Sequence, residues 1–184
     1  MYVWTRFARV LATGSRRGPY RFGEETRLDF RCLPNDVDFN FHLNNARYFM
    51  LADLGRVDIF GRLGVFGEGR KRGWAPMLGG VQAVFTREIR LWQRFALYSS
   101  IETWEGTTAI GRHRFVLPDG RQAAVILTTA GIYSRPERRF LPGEELLSAL
   151  GVTAAPRPFS VEETDFVRSH GNLRRLAKSL NGGG

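Results

Sequence analysis

Three side chains that can take part in acyl transfer alternate along one short segment of the sequence: Asp38, Asn40 and His42. A carboxylate can attack a carbonyl or activate a water, and a histidine can carry a proton near neutral pH. Alternate residues of an extended or turning segment project to one side. The three side chains can therefore face one space while the apolar residues Phe39, Phe41 and Leu43 face the other.

The same residues also have an ordinary structural interpretation. Asp, Asn and His are frequent in turns and before helices, because their side chains bond to the local backbone. A helix is predicted from about Asn45 to Leu63, and Asn44 or Asn45 can cap its start. The spacing alone leaves two alternatives open: a polar turn that caps a helix, and a reactive site.

The wider string from Asp36 to Tyr48 resembles the signature of hotdog-fold thioesterases, D-x-D-x-N-x-H-x-N-N-x-K/R-Y. Plant acyl-carrier-protein thioesterases carry nearly this string, and bacterial acyl-CoA thioesterases of the 4-hydroxybenzoyl-CoA type carry a looser version. Residues 49–56 also look like the eukaryotic thioesterase-superfamily-member-6 branch and its bacterial relatives. The resemblance covers about residues 24–142 and implies an acyl-thioester hydrolase that acts on acyl-CoA or acyl-carrier protein.

The resemblance also implies roles for individual residues. The family's catalytic aspartate falls on Asp38, and its asparagine and histidine fall on Asn40 and His42. In the plant enzymes a further glutamate lies on the next strand in a Y-R-R-E-C string, and the matching carboxylate here is Glu88. This match is imperfect, since Ile89 stands in the place of the cysteine.

Two carboxylates outside the string, Glu88 and Asp53, also fit structural ion pairs. Glu88 can be an exposed strand residue paired with Arg87 or Arg90. Asp53 falls in the middle of the apolar stripe of the predicted helix, where a carboxylate is either paired or placed in a cavity. Arg56, three residues later, can pair with Asp53 along the helix. A direct role at the reacting centre, within the substrate-binding site, is the other alternative for Asp53.

The start and one face of the helix supply the rest of the expected site. Backbone N–H groups of Asn44, Asn45 and Ala46 are expected to stabilise the oxyanion, because the first N–H groups of a helix lack helical partners. The acyl group is expected to lie between the helix and the sheet. Its predicted apolar lining is Phe49, Met50, Trp74 and Phe85. Arginines of residues 61–72 or 135–139 are expected to hold the phosphates of coenzyme A.

Strand patterns dominate the second half of the sequence. Residues 26–33 alternate with period two and predict a strand, whereas the glycine-rich residues 61–80 predict a mobile surface loop. Asp119-Gly120 is a strong hairpin signal. Further strands are predicted at residues 81–91, 96–104, 108–117 and 122–134. This order indicates an α+β protein, and the resemblance implies the hotdog fold, an antiparallel sheet of about five strands wrapped around one long central helix.

Three segments are expected along the chain. Residues 1–23 are predicted to be an amphipathic helix and a basic linker, residues 24–142 the hotdog thioesterase domain, and residues 143–184 a basic tail that is helical or irregular. An open sheet leaves two edges, and pairing of edges across a twofold axis is a common remedy. We therefore expect a homodimer or a tetramer.

The composition fits one cytoplasmic domain. Cys32 is the single cysteine in 184 residues, which excludes an internal disulfide, and we expect neither a metal nor a cofactor. The net charge of +9 fits either anionic partners such as coenzyme A or a merely solvated surface, and no nucleic-acid-binding motif is present. The amphipathic helix at Met1–Ala12 is expected to pack on protein, with peripheral contact to an anionic membrane as the alternative.

Two other functions stay open at this point. A hotdog hydratase or dehydratase also uses a histidine and a carboxylate, and Asp53 is the helix carboxylate that it would need. A non-catalytic module that binds acyl chains or membranes is favoured by the basic termini and by the helix at Met1–Ala12. Thiol release from a saturated acyl-CoA distinguishes a hydrolase from both.

Overall fold

The computed structural model describes residues 4–181, and within them a six-stranded sheet is packed against helices. The helices are α1 (Trp4–Gly14), α2 (Asn45–Arg62), α3 (Val65–Arg72), α4 (Gly143–Ala149) and α5 (Val161–Asn181). The strands are β1 (Thr26–Arg31), β2 (Trp74–Phe85), β3 (Arg94–Glu105), β4 (Thr108–Val116), β5 (Gln122–Ser134) and β6 (Arg139–Phe140). Short 3-10 turns lie at Ser15–Arg17 and Pro34–Asp36.

All strands belong to one antiparallel sheet in the order β1-β3-β4-β5-β2, with β6 paired to the end of β5. The sheet curls around α2, and the main core lies between them. This confirms the α+β class and the antiparallel sheet. The expectation of one long helix is incomplete, because α5, with 21 residues, is longer than α2, with 18.

Helix α2 begins where the sequence predicts, after the first asparagine of the pair. The side chain of Asn44 accepts a hydrogen bond from the Ala46 N–H at 2.9 Å, so Asn44 is the N-cap. The helix ends at Arg62 with Leu63 as its C-cap, and Gly64 follows in the left-handed region with φ 81°. Helix α2 therefore runs from the candidate segment, residues 38–42, before its start to α3 after its end.

Residues 61–80 are not the mobile loop that their glycine content predicted. They contain α3 and the first half of β2. In β2, a Cβ on Gly80 would lie 2.6 Å from Nδ1 of His170, because α5 crosses the strand at this point. The register of β2 also shifts between Leu78 and Gly80. Glycine here makes room for a packed helix, and the sequence alone does not distinguish that role from loop flexibility.

The strands predicted at residues 96–104, 108–117 and 122–134 are confirmed as β3, β4 and β5. The strand predicted at residues 81–91 has the wrong bounds, since β2 ends at Phe85. The segment after Phe85 turns back over β5, where the Thr86 N–H donates to the Ala123 carbonyl at 2.8 Å. In the C-terminal segment, where the prediction left helix and irregular chain open, the structure shows α4 and α5.

Helix α1 packs on its own domain. Val10 is buried in the core, and Arg6 donates hydrogen bonds of 3.0 and 2.6 Å to Asp36. Residues 1–3 of the predicted N-terminal helix lie outside the described residues. These contacts support the alternative in which the helix packs on protein. Between residues 4 and 181, no helix has both the length and the hydropathy that crossing a membrane requires.

The close approach of α2 to β3 depends on Gly55. A Cβ on Gly55 would lie 2.8 Å from the Ser99 Cβ and 3.4 Å from Nδ1 of His113, and both of these residues are fully buried. We predict that Gly55→Ala lowers the free energy of unfolding by about 1–3 kcal/mol, because the helix or the strand must move.

Gly61→Ala is the matched control in the same helix. Its Cβ would lie 3.8 Å from the Phe66 ring, an ordinary contact, so the variant is expected to keep or slightly raise the stability. Urea unfolding of both variants measures the difference. Equal stability of the two would contradict the packing described for Gly55.

Candidate active site

The candidate segment forms a tight turn in front of α2. The Asp38 N–H donates to the His42 carbonyl, and the Phe41 N–H donates to the Asp38 carbonyl, both at 3.1 Å. Phe41 has φ 59°, in the left-handed region that few non-glycine residues adopt. The chain therefore reverses direction between residues 38 and 42 instead of continuing as a strand.

This reversal changes which apolar side chains share a face. The alternating pattern predicted that Phe39, Phe41 and Leu43 project to the same side. Leu43 is buried, but Phe39 and Phe41 are 88% and 73% exposed. The prediction is wrong for this set, because a turn does not keep the period of a strand.

Asp36, two residues before the turn, had no role in the prediction, yet its side chain is almost fully buried. It accepts hydrogen bonds from Arg6 at 3.0 and 2.6 Å and from the Leu33 N–H at 2.9 Å. Its carbonyl accepts the Asn44 N–H at 2.9 Å, and Nε of Arg47 lies 3.9 Å from its Oδ1. Asp36 therefore connects α1, the turn and the start of α2. The available signal was its place as the first aspartate of the D-x-D string.

Asp38 and His42 lie close together in the turn. Nδ1 of His42 is 3.8 Å from Oδ1 of Asp38, and the two side chains are 32% and 18% exposed, so water can reach both. The same Asp38 oxygen accepts the Asn40 N–H at 2.9 Å, which is typical of an Asx turn. Asn40 itself is exposed, and it contacts Asp38 through its backbone rather than its side chain.

Most N–H groups at the start of α2 already have acceptors. The Asn44 N–H donates to the Asp36 carbonyl at 2.9 Å, and the Ala46 N–H donates to the Asn44 side chain at 2.9 Å. The Arg47 N–H donates to the Asn44 carbonyl at 2.8 Å. Among residues 44–47, this leaves the Asn45 N–H as the donor for a ligand, so the predicted set of three is reduced to one.

Glu88 is exposed, and Nε of Arg90 donates to it at 2.7 Å, which matches the ion-pair alternative. It lies in the connection after β2 rather than in a strand. Its backbone is nevertheless next to the turn: the Ile89 carbonyl accepts the Leu43 N–H at 2.8 Å, and Arg90 pairs with His42. Within residues 4–181, no group of His, Cys, Asp and Glu side chains is arranged to hold a metal ion.

Asp53 forms an ion pair with Arg56, which is one of the two predicted alternatives, and its side chain remains 40% exposed. The Arg56 guanidinium also lies 3.4 Å from Nε2 of His113, whose Nδ1 is 2.9 Å from the Ser99 hydroxyl. Burial, together with the Arg56 charge, lowers the pKa of His113 to about 3. The His113 ring is therefore neutral near physiological pH and serves the packing of α2 on the sheet.

The apolar lining near the turn differs from the predicted one. The Phe85 ring at the end of β2 has its centroid 6.5 Å from that of Phe49 and 5.0 Å from that of Tyr48. Trp74 lies at the opposite end of β2, about 36 Å away along the strand. Trp74 is therefore removed from the lining, and Tyr48 is a neighbour that the sequence pattern did not indicate.

The arginines of the open pocket beside the turn are also not the predicted ones. Residues 61–72 and 135–139 lie toward the other end of α2, where the Arg135 N–H bonds to Gly73. Beside the turn, three arginines line an open pocket of about 640 Å³: Arg87, Arg90 and Arg121. They come from two distant parts of the chain that meet where residues 86–87 cross β5, so no spacing in the sequence indicated the cluster.

A family model of the thioesterase-like superfamily matches residues 32–159, which include the turn, α2 and the strands from β2 to β6. Among known proteins, the chain is similar to protein THEM6 of Xenopus laevis, with 34% identity over 97 residues. That match covers 52% of this chain and 47% of the Xenopus protein. The chain thus spans about half the length of the curated relatives that it matches.

Solved structures show the same fold. The structure of YbaW, a probable thioesterase from Escherichia coli, matches with a TM-score of 0.61 at 21% identity, over 69% of this chain and 95% of that chain. SAV2348 from Staphylococcus aureus, solved in complex with CoA, matches with a TM-score of 0.62 at 13% identity, over 77% of this chain and 94% of that chain. At these identities the likeness is one of fold.

Proposed function

This chain belongs to the thioesterase-like superfamily, and we propose that it is an acyl-thioester hydrolase whose reacting carboxylate is Asp38. The observation that carries the proposal is the proximity of Asp38 and His42, 3.8 Å apart and accessible to water at the start of α2. A carboxylate and an imidazole in this arrangement can position and deprotonate a water beside a bound thioester.

Two forms of the mechanism use the same charge on Asp38. As a general base, Asp38 takes a proton from a water while the water oxygen attacks the thioester carbonyl. The tetrahedral intermediate then collapses, the carbon–sulfur bond breaks, and the thiolate leaves with the electron pair and is protonated by Asp38 or His42. As a nucleophile, Asp38 attacks the carbonyl, the carbon–sulfur bond breaks, and the thiolate leaves with the electron pair and is protonated. Water then hydrolyses the resulting anhydride. Both forms yield one carboxylic acid and one thiol.

Two backbone N–H groups near Asp38 are proposed to have different roles. The Asn40 N–H holds Oδ1 of Asp38, which orients the carboxylate and leaves Oδ2 for the reaction. The Asn45 N–H is the proposed donor to the oxyanion, since the N–H groups of Asn44 and Ala46 have protein acceptors. The positive end of the α2 dipole supports negative charge at this position.

The acyl group is proposed to lie against Phe49 and Phe85, where α2 meets the end of β2. Asp53 follows one helical turn after Phe49 on the same side of α2. Its ion pair with Arg56 ends the apolar surface in that direction. Phe49 and Asp53 therefore both belong to the proposed substrate-binding surface, with Asp53 at its polar boundary.

An acyl-CoA is the proposed substrate, because the arginine pocket lies beside the turn. Arg90 pairs with the exposed Glu88, and Arg121 pairs with the exposed Asp119. Exposed pairs of this kind contribute about 0–1 kcal/mol, so coenzyme A phosphates can take over the guanidinium groups at little cost. Glu88 remains in the proposed site as the carboxylate between this pocket and the turn.

Strand β2 is the edge at which we propose that a second copy binds. It pairs with β5 on one side, and no strand covers its other side in the described part of the chain. Apolar side chains are exposed along it: Met77, Leu78, Val81 and Val84. Pairing of two β2 edges across a twofold axis satisfies the backbone groups and covers these side chains. Because Phe85 ends this strand, the homodimer interface borders the site.

Asp38→Asn tests the reacting carboxylate with little disturbance of the turn, because the amide oxygen of asparagine can still accept the Asn40 N–H. We predict that kcat for acyl-CoA hydrolysis falls at least about 100-fold, while the thermal unfolding midpoint is retained. The measurement is thiol release at saturating substrate.

Asp29→Asn is the matched control for this variant, since it removes an exposed carboxylate paired with Arg27 on β1 and should keep full activity. Unchanged hydrolysis by Asp38→Asn would exclude Asp38 as the reacting group. If Asp53→Asn abolished hydration of an enoyl-CoA, and Asp38→Asn did not, a hydratase would replace the hydrolase.

The double variant Arg87→Ala/Arg121→Ala tests the arginine pocket. We predict that it raises KM for an acyl-CoA about tenfold and leaves KM for the matching acyl-pantetheine unchanged, because the truncated substrate lacks the nucleotide phosphates. Arg70→Ala in α3 is the control and should change neither value. An equal change for both substrates, or a larger change in Arg70→Ala, would contradict the assignment of this pocket.

A further inference from the structure

Helix α5 lies across the outer face of the sheet, on the side opposite to α2. Its first half is seated on the strands, since Phe166 is buried in a groove with Val125 and Leu127 of β5 and Val84 of β2. The contact is apolar and places the Phe166 side of the helix directly on the sheet.

The direction of α5 is set by contacts at two points. Near the start, Arg157 donates to Glu163 of α5 at 2.7 Å, and it also reaches Glu102 of β3 at 3.3 Å. Further along, the His170 ring lies over Gly80 of β2. Helix α5 therefore runs from the β3 side of the sheet across β5 to β2, which is an edge strand.

The helix does not stop at this edge. From His170 to Leu180 it continues for about 15 Å at the usual rise per residue, and the leucines of this half are exposed instead of buried on the sheet. In the described structure no strand lies beyond β2. The second half of α5 therefore projects past the sheet of its own protomer.

This projecting half carries an exposed leucine stripe: Leu173, Leu176 and Leu180, which are 65%, 54% and 75% exposed. Leu173 and Leu180 follow Phe166 at intervals of seven residues, so they lie on the same side of the helix. The surface that seats α5 on its own sheet therefore continues, as leucine, into the space beyond the β2 edge.

Charge is divided along the helix. Its first turns carry exposed acidic residues, Glu162 and Asp165, while Glu163 is buried against Arg157; its last turns are basic, with Arg174, Arg175 and Lys178. Two such helices that lie antiparallel place the basic end of each beside the acidic end of the other, and their dipoles also oppose each other. The sequence of α5 is thus complementary to a second, antiparallel copy of itself.

We propose that α5 packs on a second copy of this chain across the paired β2 edges, where the leucine stripe covers the outer face of the other protomer's sheet and the two α5 helices lie antiparallel. The inference rests on the β2-edge homodimer proposed above. Each protomer then contacts its partner in two ways: by backbone pairing of the β2 edges within the sheet, and by α5 over the outer face of the partner's sheet.

An anionic lipid surface is the other occupant that a basic, leucine-rich helix could bind. The structure favours the second copy for two reasons. The first half of α5 is fixed on the outer face of the sheet, so the stripe faces the space into which a paired sheet would continue. The acidic first turns, including Glu162 and Asp165, lie on the same helix and would face the same anionic surface unfavourably.

Leu176→Glu tests the proposal, with Val161→Glu as the matched control, since Val161 is 74% exposed on the same helix but off the stripe. Sedimentation equilibrium of the full chain is expected to show a dimer whose dissociation constant rises at least about tenfold in Leu176→Glu and stays unchanged in Val161→Glu. Circular dichroism of both variants checks that the helix content is retained.

Charge reversal gives a second readout. Arg174→Glu/Arg175→Glu is expected to weaken the dimer, and adding Glu162→Arg/Asp165→Arg to the same chain is expected to restore it, because the reversed ends again face opposite charge. Absence of rescue, together with an unchanged dissociation constant in Leu176→Glu, would overturn the antiparallel α5 pair.

Val81→Lys on the β2 edge distinguishes a wrong α5 contact from a wrong β2-edge homodimer. A wild-type dimer that Val81→Lys dissociates and Leu176→Glu leaves intact overturns the α5 contact alone. A wild-type chain that is monomeric at all concentrations overturns both. If Leu176→Glu abolishes cosedimentation with phosphatidylserine vesicles while the dimer is unaffected, lipid replaces the second copy as the occupant.

Discussion

The buried carboxylate of Asp36 is the interaction on which the arrangement of the site depends. Burial of a charge is costly unless the charge is paired and hydrogen-bonded. Arg6, the Leu33 N–H and Arg47 supply these partners from α1, from the segment after β1 and from α2. Because one group holds all three segments, the turn that follows it has little freedom. The turn therefore presents its carboxylate and imidazole at a fixed place before the start of α2.

The sequence predicted the fold well where a short-range rule decides the structure. Asn44 caps α2 by bonding two residues ahead, and Asp119-Gly120 turns β4 into β5 with the glycine at φ 83°. The prediction failed where the deciding contact is distant along the chain. The glycines before Val81 predicted a loop, because no residue near them in the sequence indicates that His170 of α5 packs over them. In the same way, a role for the leucines of α5 can be inferred only once the path of the helix across the sheet is known.

The features of the candidate site also fall into two groups, those that the sequence predicted and those that it did not. The family string singled out Asp38 and His42, and the turn geometry then brought them together. The same geometry reduced the helix-start donors to the Asn45 N–H, which no spacing predicts. Trp74 is not part of the lining that the sequence predicted, because the strand that carries it begins at the far end of the sheet. The exposed β2 edge, the rings beside it and the second half of α5 lie on one side of the molecule, so the proposed substrate-binding surface and the proposed dimer contact share this side.

The most direct test of the central claim is thiol release by the wild-type protein from a panel of saturated short, long and aromatic acyl-CoAs. The free thiol and the carboxylic acid are both quantified as the reaction proceeds. Hydrolysis at the turn predicts that at least one acyl-CoA yields the two products in equal amounts. Absence of thiol release across the whole panel, from protein shown to be folded, would contradict the assignment as an acyl-thioester hydrolase.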